Sequence, residues 1–154
     1  MFKLEVEVWQ ESENRILKQL AALNSLGVPA DQMCVGGSSA MVLMQLRNDA
    51  GDLNVWVDSP YFERLAEDHQ VLVHPLRDSV VRIPDTNLCV RRRNRYFKSH
   101  ALENGVEVFD ELTLLLQKRT SYIDPERPMA QRQDDFLDIR ILNNRLAERN
   151  KVAS

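Results

Sequence analysis

Val35-Gly36-Gly37-Ser38-Ser39, followed downstream by Asp52-Leu53-Asn54-Val55-Trp56-Val57-Asp58, is the stretch that decides how this chain is read. An apolar strand over 32–36 runs into a glycine pair. A helical segment over 38–47 carries Met41, Val42, Leu43 and Leu46, and a second strand covers 52–58. Side chains alternate along a strand, so Asp52, Asn54, Trp56 and Asp58 share one face and Leu53, Val55 and Val57 the other. Gly36 and Gly37 let the backbone approach a phosphate closely, and the first helix amides, at Ser38 and Ser39, would point at it. The glycine pair alone also reads as a plain tight turn with Ser38 or Ser39 as N-cap. Beside an acidic strand, the same turn suits a nucleotide and its metal ion.

Outward from this stretch the pattern is one of short strands between helices. Ile16, Leu17, Leu20, Leu23 and Leu26 recur at helical spacing, and Gly27 and Pro29 close that helix. Ser59-Pro60 starts a helix to about residue 68, with Tyr61, Phe62 and Leu65 inward. Three strands are predicted over 71–73, 80–83 and 88–91, with a further candidate over 106–108. Asp110 then reads as the N-cap of a helix bearing Leu112, Leu115 and Leu116, and Ile139, Leu142 and Leu146 form an apolar stripe for packing on it. The fold class is α/β (α+β in the stricter sense): a mixed, twisted sheet of about four to five strands with packed helices. A single domain spans 1–154, with a core over 30–147 preceded by an N-terminal strand and helix over 1–29.

The 154 residues are 44% hydrophobic, enough for one real core. Twenty basic against 23 acidic residues leave a net charge of -3, so overall charge argues for neither nucleic-acid nor membrane binding. No segment is long and apolar enough to span a bilayer, and the N-terminus lacks the apolar run of a signal peptide. Cys34 and Cys89 sit in apolar surroundings without a Cys-x-x-Cys pairing, which predicts buried thiols in a reducing cytoplasm. His69 and His74 have no partners at metal-ligand spacing.

Gly37-Ser38, the intervening helix and Asp52-Leu53-Asn54 together resemble the nucleotidyltransferase superfamily built on the DNA polymerase β core. The likeness is to its small bacterial and phage members, including those of toxin–antitoxin systems. The C-terminal third resembles the same family: Val108-Phe109-Asp110-Glu111-Leu112, then Lys118, Arg127-Pro128, and Asp135-Phe136-Leu137-Asp138. The departures are Asn54, where the family has its second metal-binding aspartate, and Asp134, where it usually has lysine. The resemblance implies a minimal nucleotidyltransferase. It would bind a nucleoside triphosphate through Gly36, Gly37, Ser38 and Ser39 and hold Mg²⁺ or Mn²⁺ at Asp52 and Asn54. From the triphosphate it would transfer a nucleoside monophosphate to a hydroxyl of RNA, protein or a small molecule.

That chemistry needs two carboxylates two apart on a strand, and a third nearby to activate the nucleophile. Asn54 offers one neutral oxygen, a change that by analogy costs about two to three decades in rate. For the third carboxylate the polar strand positions offer Arg82, Arg91, Arg92 and Arg93 instead; Asp78, Asp85 and Glu107 serve only in another register. Asp58 lies about 13 Å along the strand from Asp52, too far to share an ion. The run Arg91-Arg92-Arg93-Asn94-Arg95, with Tyr96, Phe97, Lys98 and His100, is the strongest charge cluster. Arg91, Arg93, Arg95 and Lys98 are candidates for phosphates or a partner, and the run reads equally as a charged edge strand. Trp56 is a candidate base-stacking residue or a core tryptophan. Alternatives to the enzyme are a catalytically inactive relative that binds RNA or a protein through the arginines, and a homodimeric subunit joined by its leucine-rich C-terminal helices.

Overall fold

The structure, a computed structural model, describes residues 4–74, 77–94 and 96–153. Its centre is a mixed sheet of seven strands: β1 (Met33–Gly36), β2 (Leu53–Val57), β3 (Gln70–His74), β4 (Arg77–Arg82), β5 (Leu88–Arg92), β6 (Ser99–Ala101) and β7 (Glu107–Phe109). They lie in the order β3-β4-β5-β2-β1-β7-β6. β2 pairs in parallel with β5 and β1 with β7, while the other neighbours are antiparallel. The helices are α1 (Val6–Ser25), α2 (Gly37–Leu43), α3 (Ser59–Asp68), α4 (Glu111–Tyr122) and α5 (Met129–Ala153). The α+β class is as expected, but the sheet has seven strands rather than four or five. At one end of the sheet β7 is the candidate expected over 106–108, and β6, three residues long, is a strand that was not expected. Ser99-His100-Ala101 has no apolar alternation; it becomes a strand because β7 offers it backbone partners.

Residues 4 and 5 are not a strand, which corrects the expected N-terminal strand as far as it is described. Helix α1 begins at Val6, its start fixed from outside when Trp9 Nε1 donates to the Val42 carbonyl at 2.6 Å. Ser12, Ile16, Leu20 and Leu23 then form its buried face. Asp110 caps α4 as expected, accepting from the Thr113 amide at 2.8 Å. Along α4, Leu114 and Leu115 are buried, whereas Leu112 and Leu116 are exposed. Leu142 is fully buried, and Ile139 and Leu146 lie partly buried against the core as α5 packs along α4.

The two faces of the sheet differ in kind. Val35, Leu53, Val55, Val57, Val81, Leu88 and Val90 form the buried aliphatic face, with Met41, Val42, Phe62 and Leu65 from α2 and α3 in the same core. The opposite face carries Gly36, Asn54, Trp56, Cys89 and Arg91 in neighbouring positions. The site is built there. Among the described residues, no helix is long and apolar enough to cross a membrane.

Candidate functional site

At the end of β1 the chain turns into α2 through Gly37, whose φ of +61° is a left-handed conformation that glycine adopts without strain. Gly36 has a different reason to be glycine. It is extended (φ −129°), and a Cβ there would collide with Trp56 Cζ3 and come within 2.8 Å of Phe109 Cδ2. Its bare backbone therefore makes room for two core rings, which meet edge-on with centroids 4.9 Å apart. Trp56 is accordingly a buried ring, with Phe97 meeting Phe109 edge-on beyond it, centroids 5.5 Å apart. Neither Ser38 nor Ser39 caps α2. Ser39 is buried, its hydroxyl 3.4 Å from the Asp52 carbonyl, which ties the turn to the start of β2.

Ser38 faces a cluster assembled from four parts of the chain. Its Oγ accepts from Arg47 Nη1 at 3.1 Å and from Lys118 Nζ at 2.9 Å. Arg47 Nη1 also donates to both carboxylate oxygens of Asp138, at 2.9 and 2.7 Å, and Lys118 Nζ lies 2.8 Å from the same carboxylate. Three residues earlier on α5, Asp135 receives Arg127 Nε and Nη2 at 2.5 and 3.1 Å, and stands 3.9 Å from Lys118. Asp135 and Asp138 are nearly inaccessible, and each buried carboxylate is matched by two cations. Lys118, Arg127, Asp135 and Asp138 are among the residues that carry the sequence resemblance. Arg47 carries no motif in the sequence. It comes into place because α2 ends early, with Gln45 at φ +63° turning the chain back toward Ser38.

At the start of β2, Asp52 Oδ2 lies 3.7 Å from Arg82 Nη2, both side chains about half exposed at 52% and 49%. So solvated a pair is worth at most about 1 kcal/mol. Asn54 Oδ1 accepts from Arg91 Nε at 3.0 Å, and the Arg91 guanidinium lies 5.6 Å from the centre of the Trp56 ring. On β5 the partners of Asn54 and Trp56 are Cys89 and Arg91, and on β4 the partner of Cys89 is Arg82. No carboxylate occupies these positions. Glu107 is taken up by Ser99 at 2.6 Å and Arg93 at 3.4 Å, and Asp85 sits in a turn at φ +60°. The side chain of Asp78 lies outside the described residues. Among the described residues, no group of three His, Cys, Asp or Glu side chains could hold a metal ion. One half-exposed carboxylate and one arginine-bound amide do not make the anionic donor set that Mg²⁺ prefers.

The arginine run divides by parity. Arg91 and Arg93 point to the site face. Arg92 points to the other, where it bonds Glu63 and lies 4.6 Å from the centre of the Phe62 ring. Arg93 also holds Ser99 at 2.8 Å. Lys98 is exposed, its carbonyl accepting the Asp110 amide, and Arg95 lies outside the described residues. Both cysteines are buried and free. Burial pushes the Cys34 thiol up from its ordinary 9.0 to about 12. Burial, then the charge of Asp52, raises that of Cys89.

Gly37, Ser38, Asp52, Asn54, Arg91, Lys118 and Asp135 line one cleft of about 1120 Å³ between the sheet and the α4–α5 pair. Gln117 lines it too. Its Oε1 is the one buried side-chain oxygen or nitrogen among the described residues without a hydrogen-bond partner. No protein-family model, curated protein or solved structure matches the chain.

Proposed function

We propose that this chain is a nucleotidyltransferase-like protein whose cleft binds a nucleoside triphosphate. The observation that carries the reading is convergence. The Gly37–Ser38 turn, the Asp52 end of β2, Lys118 of α4 and Asp135 of α5 are remote in sequence and line one cleft. Its volume is ample for a nucleotide. Gln117, which lines the cleft, supports the same reading: its Oε1 is buried without a partner, at a cost of about 1–3 kcal/mol, and a turn of the side chain into the cleft would let it accept from a base amino group or ribose hydroxyl.

Binding without transfer is favoured over active nucleotidyl transfer by the neighbours of Asp52 and Asn54, both of which face arginines. Arg92 and Arg93 are held by partners outside the cleft, while Arg91 lines it, so the cleft rather than the arginine strand as a whole comes first as the binding surface. RNA or a protein partner at that strand is the second reading, and exposed Lys98 beside it is what speaks for it.

The test is a thermal-shift titration with each of the four triphosphates, together with a labelled-nucleotide transfer assay. At a hundredfold excess over Kd a bound nucleotide stabilises by about 2.7 kcal/mol. We expect such a shift for the wild type, a smaller one for Gln117→Leu, and no label passed to RNA or protein. Transfer that depends on Asp52 would establish the enzyme instead. No shift with any triphosphate would remove the nucleotide from this cleft.

A further inference from the structure

We infer that the guanidinium groups of Arg91, which lines this cleft, and of Arg82, which stands at its edge beside Asp52, take the place of the metal ion, so that a triphosphate binds without a divalent cation. The inference rests on the nucleotide reading above and goes beyond it by stating what neutralises the phosphates. Arg82 on β4, Cys89 on β5, Asn54 on β2 and Gly36 on β1 are successive partners across the sheet, a row that ends at the Gly37 turn. Arg91 lies two residues beyond Cys89 on the same face, fixed by its bond to Asn54 and by the Trp56 ring beneath it. The positions around Asp52 that would carry further carboxylates in a two-metal site thus carry two permanent cations.

Arg82 and Asn54 also give the arrangement a direction. A carboxylate pair repels phosphate until a metal ion is bound, so binding and metal are obligatorily coupled. Here Asp52 is the single anion of the Asp-x-Asn strand, and it is already faced by Arg82 at 3.7 Å. Arg82 is half exposed and its bond to Asp52 is loose, so it can turn to a phosphate at little cost. Guanidinium groups bind phosphate oxygens through paired N–H donors and stay charged at every working pH. In that frame Asp52 opposes the ligand instead of recruiting its metal.

The experiment is isothermal titration with ATP, and in parallel with inorganic tripolyphosphate, in excess EDTA and again in Mg²⁺. It uses the wild type, Arg82→Ala and Asp52→Asn, with circular dichroism to establish that each variant is folded. The affinity of the wild type should agree within about threefold between EDTA and Mg²⁺. Arg82→Ala should weaken binding by about tenfold, and Asp52→Asn should tighten it. Affinity should also fall steeply with added salt. Binding that appears only with Mg²⁺ and vanishes in Asp52→Asn would overturn the inference and leave the nucleotide cleft standing. Binding that is absent under both conditions would overturn the cleft and the inference together.

Discussion

Gly36 shows how a single residue can be required for a reason other than the one its motif suggests. In a Gly-Gly turn both glycines invite a phosphate. Here the first is filled from above by Trp56 and Phe109, and only Gly37 has the left-handed backbone of the turn. Gly36→Ala should therefore destabilise the protein by about 1–3 kcal/mol, the usual cost of overpacking a core, measured by urea unfolding. Cys34 offers a second test at this scale. Its folded pKa of about 12 lies above the ordinary 9.0, so the unfolded chain gives up the thiol proton first. Its contribution is intact below pH 9.0 and is lost as pH rises toward 12, by up to about 1.4 kcal/mol per unit. Cys34→Ala should flatten that part of the alkaline stability profile. In the native protein neither thiol should react with a disulfide reagent at pH 8, and both should react once it is unfolded in urea.

Between elements, the most consequential contacts are ionic. Helix α5 is joined to α4 and to the loop after α2 by Asp138, which holds Arg47 and Lys118, while Asp135 holds Arg127. At the other end of the pair the buried Glu111 of α4 meets Arg149 at 2.5 Å and Arg145 at 3.8 Å. Removing one partner of a buried pair strands the other without water, so Asp138→Ala should cost about 3–5 kcal/mol. Replacing Asp138 and Lys118 together by apolar residues should cost less than the sum of the single changes, a coupling that a double-mutant cycle in urea would read. Asp110→Ala, which removes the α4 N-cap bond, should cost only about 1 kcal/mol. Lys118, Asp135 and Asp138 stood out in the sequence only through a resemblance. Their geometry could not, because the partner that closes the cluster, Arg47, lies 91 residues from Asp138 and its position follows from where α2 stops.

For the molecule as a whole, α5 is part of the core rather than an appendage. Leu142 is fully buried, Lys118 draws its counter-ions from α5, and Arg47 draws its nearer one, Asp138, from there too. A chain ending at residue 128 should therefore lose cooperative unfolding and bind a hydrophobic dye, as a loosely packed state does; retained near-ultraviolet dichroism would refute this. At this scale the sequence determined a good deal by itself. The turn at Gly37, the strands at 33–36, 53–57 and 88–92, the helix over 59–68 and the cap at Asp110 are local features, written in backbone freedom, alternation and hydrogen-bonding side chains. The parity of the arginine run was equally legible, since alternation alone sends Arg92 away from Arg91 and Arg93. What only the tertiary structure decided is long-range. Strand β6 exists because β7 is there to pair with it, the first turn of α1 is tied by Trp9 to the carbonyl of Val42, and Gly36 lies beneath two rings drawn from other strands. The arginines beside Asp52 and Asn54 belong to the same class. Which side chain stands next to which across a sheet is set by strand order and register, and those depend on how the whole chain buries its apolar faces at once.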